Sequence, residues 1–190
     1  CEFLFISRNS LSLTIKKLES LLYSYRIVIE RKPNHGIRIR GKETDIRLLL
    51  IDYYMKRNSL GNTDQGRKEI ETYELAQIVW SILSLYEIHM TEMNFENLIE
   101  YLYVSERRMK RGCFISSKIE DSLPQFSLKE QLCVEEIVKK LEDKYQISYR
   151  EEEKVYIGIY IAGKKSEGIN SNFVIREQLD GLALTMIINV

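Results

Sequence analysis

Residues 9–22, NSLSLTIKKLESLL, and residues 26–41, RIVIERKPNHGIRIRG, differ in hydrophobic period, and the difference decides how the chain is read. In the first, Leu11, Ile15, Leu18 and Leu22 recur at the spacing of one helical face, with Asn9 or Ser10 placed as the N-cap. The other side of the wheel displays Asn9, Leu13, Lys16, Lys17 and Ser20, which can donate hydrogen bonds, touch a thymine methyl or neutralise phosphate. That set suits a recognition helix. In the second, Ile27 and Ile29 alternate, residues 32–36 (KPNHG) supply turn chemistry, and Ile37, Arg38, Ile39 and Arg40 alternate again. Two strands and a tight loop are expected, with Ile37 and Ile39 toward the core and Arg38 and Arg40 away from it. Arg31, Lys32, Arg38 and Arg40 would then flank a DNA backbone as a wing does, and His35 at the tip reads as a polar turn residue.

The charge distribution agrees. The whole chain of 190 residues is formally neutral, yet residues 1–42 carry nine Lys/Arg against three Asp/Glu, leaving 19 against 25 in the rest. A basic head on an acidic body points to an anionic partner for the head alone. With 44% hydrophobic residues the chain can bury one ordinary core plus a smaller appendage. It starts at Cys1 and closes on an apolar stretch without a helix stop signal, so both ends read as cut. Neither a charged leader with an apolar run nor a stretch of the roughly 20 apolar residues that a bilayer needs is present, so a cytoplasmic, non-membrane protein is expected.

Past Gly41 the helical period takes over. Ile46, Leu49, Leu50 and Tyr53 make a first stripe, and residues 58–66 read as a loop. A second helix is expected over residues 73–86, with Leu75, Ile78, Val79, Ile82 and Leu85 inward and Trp80 nearby. A third starts near Asn94 with Phe95, Leu98, Ile99 and Leu102 as core, and ends in the basic run Arg107, Arg108, Lys110 and Arg111 before Gly112, where cations favour a helix C-terminus. A fourth runs from Ser127 to about Tyr145, with Leu128, Leu132 and Glu135 outward and Ile137, Val138 and Leu141 inward. A fifth is expected to start on a Ser148/Glu151 capping box and to stop near Gly163. The fold class is thus an all-α five-helix bundle preceded by a partial winged helix-turn-helix with one β-hairpin.

Little enzymatic chemistry can be assembled from these residues. The chain holds two histidines, His35 and His89, and three scattered cysteines, Cys1, Cys113 and Cys133, which read as structural in a reducing compartment. Phosphate-cradling and metal motifs such as GxxxxGK, GxGxxG, HExxH and CxxC are missing, so no catalytic residue, metal or cofactor is expected. The tyrosines, Tyr53, Tyr54, Tyr86, Tyr101, Tyr103, Tyr145, Tyr149, Tyr156 and Tyr160 among them, fall in or beside helices, where a phenol at a bundle rim or subunit interface is the common case.

Residues 5–11 (FISRNSL) followed by Ile15, Lys16, Lys17 and Leu18 resemble the recognition-helix segment of the winged helix-turn-helix regulators tied to the sugar phosphotransferase system. Residues 35–47 (HGIRIRGKETDIR) resemble the wing and junction of that family. Residues 97–102 (NLIEYL) leading to Arg108, and residues 145–148 (YQIS) leading to residues 153–160 (EKVYIGIY), resemble the paired signatures of its PRD, the phosphotransferase-regulation domain. The resemblance covers nearly the whole chain. It implies a transcription regulator of a sugar operon with a DNA-binding head and tandem five-helix PRDs that dimerise and are phosphorylated on histidines by phosphotransferase components. The domain division it implies is residues 1–42 as recognition helix and wing, 43–165 as PRD, and 166–190 as linker and start of a following PRD. Arg8, Asn9, Leu13, Lys16, Lys17, Lys32, Arg38 and Arg40 are the candidate DNA contacts, and operator DNA and a second copy of the chain are the expected partners. The RNA-binding antiterminators of the same family carry a small β-rich module in place of this head. Two positions depart from the pattern: Thr14 stands where an acidic residue often precedes the recognition-helix isoleucine, and Tyr101 and Tyr160 stand where the PRD pattern carries histidine. The usual switch chemistry is therefore missing from this PRD, and phosphotransferase components are expected to act on regions outside the chain.

Overall fold

The structure, a computed structural model, describes residues 8–32, 36–59, 65–116 and 126–163. Cys1, His35 and the expected linker at residues 166–190 lie outside the described residues. Two compact units divide the chain after Leu49.

In the first unit, α1 (Arg8–Ser24) leads into an antiparallel hairpin of β1 (Val28–Lys32) and β2 (Gly36–Arg40), and α2 (Glu43–Ser59) begins. The buried apolar residues here are Leu18, Leu22, Ile27, Ile46 and Leu49. Helix α1 stops without a glycine. Arg26 takes the left-handed conformation (φ 58°), its N–H donates to Tyr23 O, and the Ile27 N–H reaches back to Leu22 O at 2.9 Å. This is the Schellman pattern with the apolar residue after the turn buried, which offsets the cost of a side chain at positive φ. Arg26 is held in addition by Asp45 of α2, 2.9 Å away. Gly41 is needed where the hairpin returns, because a Cβ there would come within 3.0 Å of Ile27 Cγ1.

The second unit is a helical bundle of the remainder of α2 with α3 (Gln65–Leu85), α4 (Glu92–Lys110), α5 (Leu128–Tyr145) and α6 (Glu151–Ile161). Helix α4 is its centre: every residue from Leu98 to Glu106 is buried. Of the four core residues expected from the sequence, Leu98, Ile99 and Leu102 are buried and Phe95 partly so, and the polar residues Glu100, Ser105 and Glu106 are enclosed with them. Helix α5 is bounded as expected, with Leu128 and Leu132 exposed and Ile137, Val138 and Leu141 inside.

Three expectations are corrected. The capping box belongs to α5, where Ser127 Oγ accepts from the Glu130 N–H and the Glu130 carboxylate accepts from the Ser127 N–H; α6 is capped by Arg150 with no side-chain bond. Helix α3 starts at Gln65 rather than near residue 73. Its first two turns are polar and are tied to α4 by Lys68–Glu100, at 2.7 Å and largely buried, and by Glu71–Arg107, so ion pairs stand where an apolar stripe was sought. Leu85 is 74% exposed and Leu83 takes the inner position, because the chain turns into a second glycine-free Schellman end at Glu87 (φ 46°) with Ile88 N–H on Leu83 O.

Candidate functional site

On α1, Asn9, Ser12, Leu13, Lys16, Lys17, Ser20, Tyr23 and Ser24 form one exposed sector, while Leu18 and Leu22 are buried on the opposite side. At 100° per residue these eight span less than half of the wheel. The sector holds two lysines and no carboxylate. Glu19, at its edge, is engaged by Arg31 of β1. Arg8 is the first residue of the helix.

The hairpin register pairs Ile29 with Ile39 and Glu30 with Arg38. The isoleucine and arginine faces therefore separate as the alternation requires, though Ile37, close to the tip, stays 39% exposed. Glu30 was not weighed in the sequence reading, and it changes the electrostatics. Its carboxylate lies 2.5 Å from Arg38 and 3.2 Å from Arg40. The hydrogen bond from Arg38 holds the Glu30 carboxyl below the usual carboxylate value, and Arg40 adds to this. Arg38 and Arg40 thus share one negative charge, Arg31 sits on the isoleucine face toward α1, and Lys32 is exposed. The net positive charge of the wing is smaller than its count of arginines suggests. An acidic residue directly across the strand pair was the available signal.

In the bundle, Tyr101 of α4 and Tyr160 of α6 lie face to face, ring centroids 4.6 Å apart and planes 27° from parallel. Nothing in the local pattern announces that contact, since the two rings come from helices that are distant in sequence. Tyr101 is 3% exposed. Burial raises the pKa of Tyr160 well above the ordinary tyrosine value, and the negative charge of Asp52 and the neighbouring Tyr156 push the same way. Tyr149 is raised more strongly by burial, with Tyr101 and Glu153 adding to it. These phenols are protonated at neutral pH and pack within the bundle; a nucleophile would need the opposite shift. Glu153 is fully buried and accepts the Ile115 N–H at 3.0 Å, so it pins the segment after α4 onto α6. Gly158, on the same helix, gives room to Phe126: a Cβ there would stand 2.9 Å from the ring.

The basic run at the end of α4 is largely used inside the bundle. Arg107 pairs with Glu71 and lies 4.4 Å over the Tyr103 ring, and Lys110 pairs with Glu106 and lies 5.0 Å over Tyr145. Burial pushes the Tyr103 and Tyr145 hydroxyls up to about 12. Among the described residues no group of three or more His, Cys, Asp or Glu converges as a metal site, and no helix is long and apolar enough to cross a membrane.

Two family models match the chain: a Mga helix-turn-helix domain over residues 1–54 and a PRD domain over residues 76–164. Among curated proteins, the chain is similar to the probable licABCH operon regulator of Bacillus subtilis (strain 168), 30% identical over 98% of this chain and 30% of that protein. It is also similar to the transcriptional regulator ManR of the same organism, 24% identical over 85% of this chain and 26% of that protein. The chain spans under a third of the length of either relative. The helix and wing fall within the Mga helix-turn-helix match and most of the helical bundle within the PRD match, so this chain joins a helix-turn-helix segment of the Mga type to a PRD.

Proposed function

We propose that this chain is the DNA-binding and first regulatory segment of a transcription regulator that acts in the cytoplasm on a carbohydrate-uptake or utilisation operon. The observation that carries this reading is the acid-free exposed sector of α1 beside an arginine-bearing hairpin, in a segment similar to the Mga helix-turn-helix domain. Asn9, Leu13, Lys16 and Lys17 read or approach the major groove, Arg8 stands at the entering end of the helix, and Lys32, Arg38 and Arg40 reach the flanking backbone. Glu30 tempers the last two.

The test is a gel shift of the full-length protein on a duplex from the intergenic region upstream of its own gene, beside a hairpin RNA of the same transcript. Duplex binding with Lys16→Ala and Lys17→Ala each weakening it, and each lowering the salt slope by about one, is the expected result. Preference for the hairpin would instead make the chain an antiterminator, and wild-type affinity and slope in both variants would mean that α1 does not touch DNA.

The bundle is the regulatory part, and it pairs with a second copy. Support comes from apolar side chains that its own helices leave uncovered: Ile70, Tyr73 and Trp80 on α3 and Leu128 and Leu132 on α5 are 48–72% exposed. Sedimentation of the full-length protein is expected to return a dimer mass; a monomer at every concentration would remove this part of the reading. Phosphotransferase components act on regions outside this chain, because Tyr101 and Tyr160 occupy the positions at which the PRD pattern carries histidine.

A further inference from the structure

Tyr23 is 80% exposed at the C-terminal end of α1, the most exposed of the large apolar or aromatic side chains among the described residues. It lies seven residues after Lys16 and three after Ser20, and so falls within the same sector as the candidate contacts rather than toward Leu18 and Leu22. Leu13 and Lys16 are followed along this stripe by Ser20 and Tyr23 at helical spacing. At a rise of about 1.5 Å per residue, Tyr23 stands roughly 15 Å along the axis from Leu13. A major groove is about 12 Å wide. When Asn9 and Leu13 lie at base edges, Tyr23 is therefore past the groove, over the sugar-phosphate wall.

The end of the helix repels an anion less than a bare C-terminus would. A helix C-terminus carries partial negative charge on unsatisfied carbonyls and repels phosphate. Here three of those carbonyls already have donors: Leu21 O takes Ser24 Oγ at 2.6 Å, Leu22 O takes the Ile27 N–H, and Tyr23 O takes the Arg26 N–H. The last turn contains no Lys or Arg of its own. A neutral hydroxyl is the donor that the sequence places there.

We propose that the Tyr23 hydroxyl donates a hydrogen bond to a backbone phosphate of the bound duplex and so fixes how far α1 enters the groove. This rests on the DNA-binding reading above and adds to it a contact of a different kind. Lys16 and Lys17 contribute charge and release counterions; a phenol contributes position and no counterion.

The experiment compares Tyr23→Phe, Tyr23→Ala and Lys16→Ala in the full-length protein on the intergenic duplex and on a scrambled duplex of equal length, over a series of salt concentrations. Tyr23→Phe is expected to weaken binding about tenfold on both duplexes, with the salt slope unchanged, as the loss of one neutral donor to a charged acceptor requires. Lys16→Ala lowers the slope by about one. If Lys16→Ala behaves so and Tyr23→Phe binds as the wild type does, the Tyr23 contact is wrong and the DNA reading stands; if neither variant changes anything, the DNA reading itself has failed. Loss with Tyr23→Ala but not with Tyr23→Phe would assign the effect to the ring and overturn the hydrogen bond. A change of sedimentation mass in Tyr23→Phe would make the residue a subunit contact instead. Thermal melts of the variants check that this exposed position leaves the fold intact.

Discussion

Replacing Tyr101 with alanine is expected to cost about 3–5 kcal/mol of stability in the helical body, the range for removing a buried aromatic ring from a packed core. The ring is 3% exposed, belongs to the stretch of α4 that is buried on every side, and stacks on Tyr160. Neighbours from several helices hold the walls of the space it leaves, so collapse is limited and the cavity persists. Loss of the offset ring contact adds about 0.5–1.5 kcal/mol beyond the buried area. Tyr101→Phe keeps the ring and the stack and is expected to stay within about 1.5 kcal/mol of the wild type. Denaturant titration followed by far-UV circular dichroism reads both values. A Tyr101→Ala variant within about 1 kcal/mol of the wild type would show that the stack does not organise the bundle.

The second large effect is an absence of reaction. A reconstituted phosphotransferase relay that labels histidines in regions outside this chain is expected to transfer no phosphoryl group to this PRD. Neutral imidazole, with a reference pKa near 6.5, is nucleophilic at cellular pH, whereas a phenol of reference pKa about 10 is almost wholly protonated and needs an activating base. Burial moves Tyr160 further from reactivity, and the carboxylate nearest to it in effect, Asp52, raises its pKa still more. Tyr101 is covered by Tyr160 itself. We expect the domain to hold one packed state in which the stacked phenols fill the place of an acceptor. Mass spectrometry of the treated protein under conditions that preserve acid-labile phosphate decides this. Label on His35 or His89 would place the acceptor elsewhere in this chain, and label on Tyr101 or Tyr160 would mean that the stack opens and a base is supplied by the phosphocarrier.

Local pattern was enough for several features. The exposed and buried sectors of α1 follow from apolar spacing at Leu11, Ile15, Leu18 and Leu22, and the hairpin faces from alternation around a Pro-Asn-His-Gly turn. The limits of α5 follow from Ser127 and from the apolar residues behind it. In each case the information lies within one helix or one pair of adjacent strands, where periodicity states which side meets the core.

What only the tertiary structure decided involves partners remote in the chain. Residues 65–66 read as loop and residues 67–72 announce no helix, because residues 65–72 contain a single apolar side chain, Ile70, and that side chain faces out; the helix is held by carboxylates and cations across α3 and α4, separated by 32 and 36 positions. The burial of α4 on all sides, including Glu100, Ser105 and Glu106, was hidden because a central helix needs polar partners from its neighbours rather than a polar face of its own. That Tyr101 and Tyr160 stand at histidine positions is what the family resemblance implies, whereas the stacking of the two rings comes from the tertiary structure alone. A period describes the face that a residue turns outward or inward, and it carries nothing about which distant side chain comes to meet it.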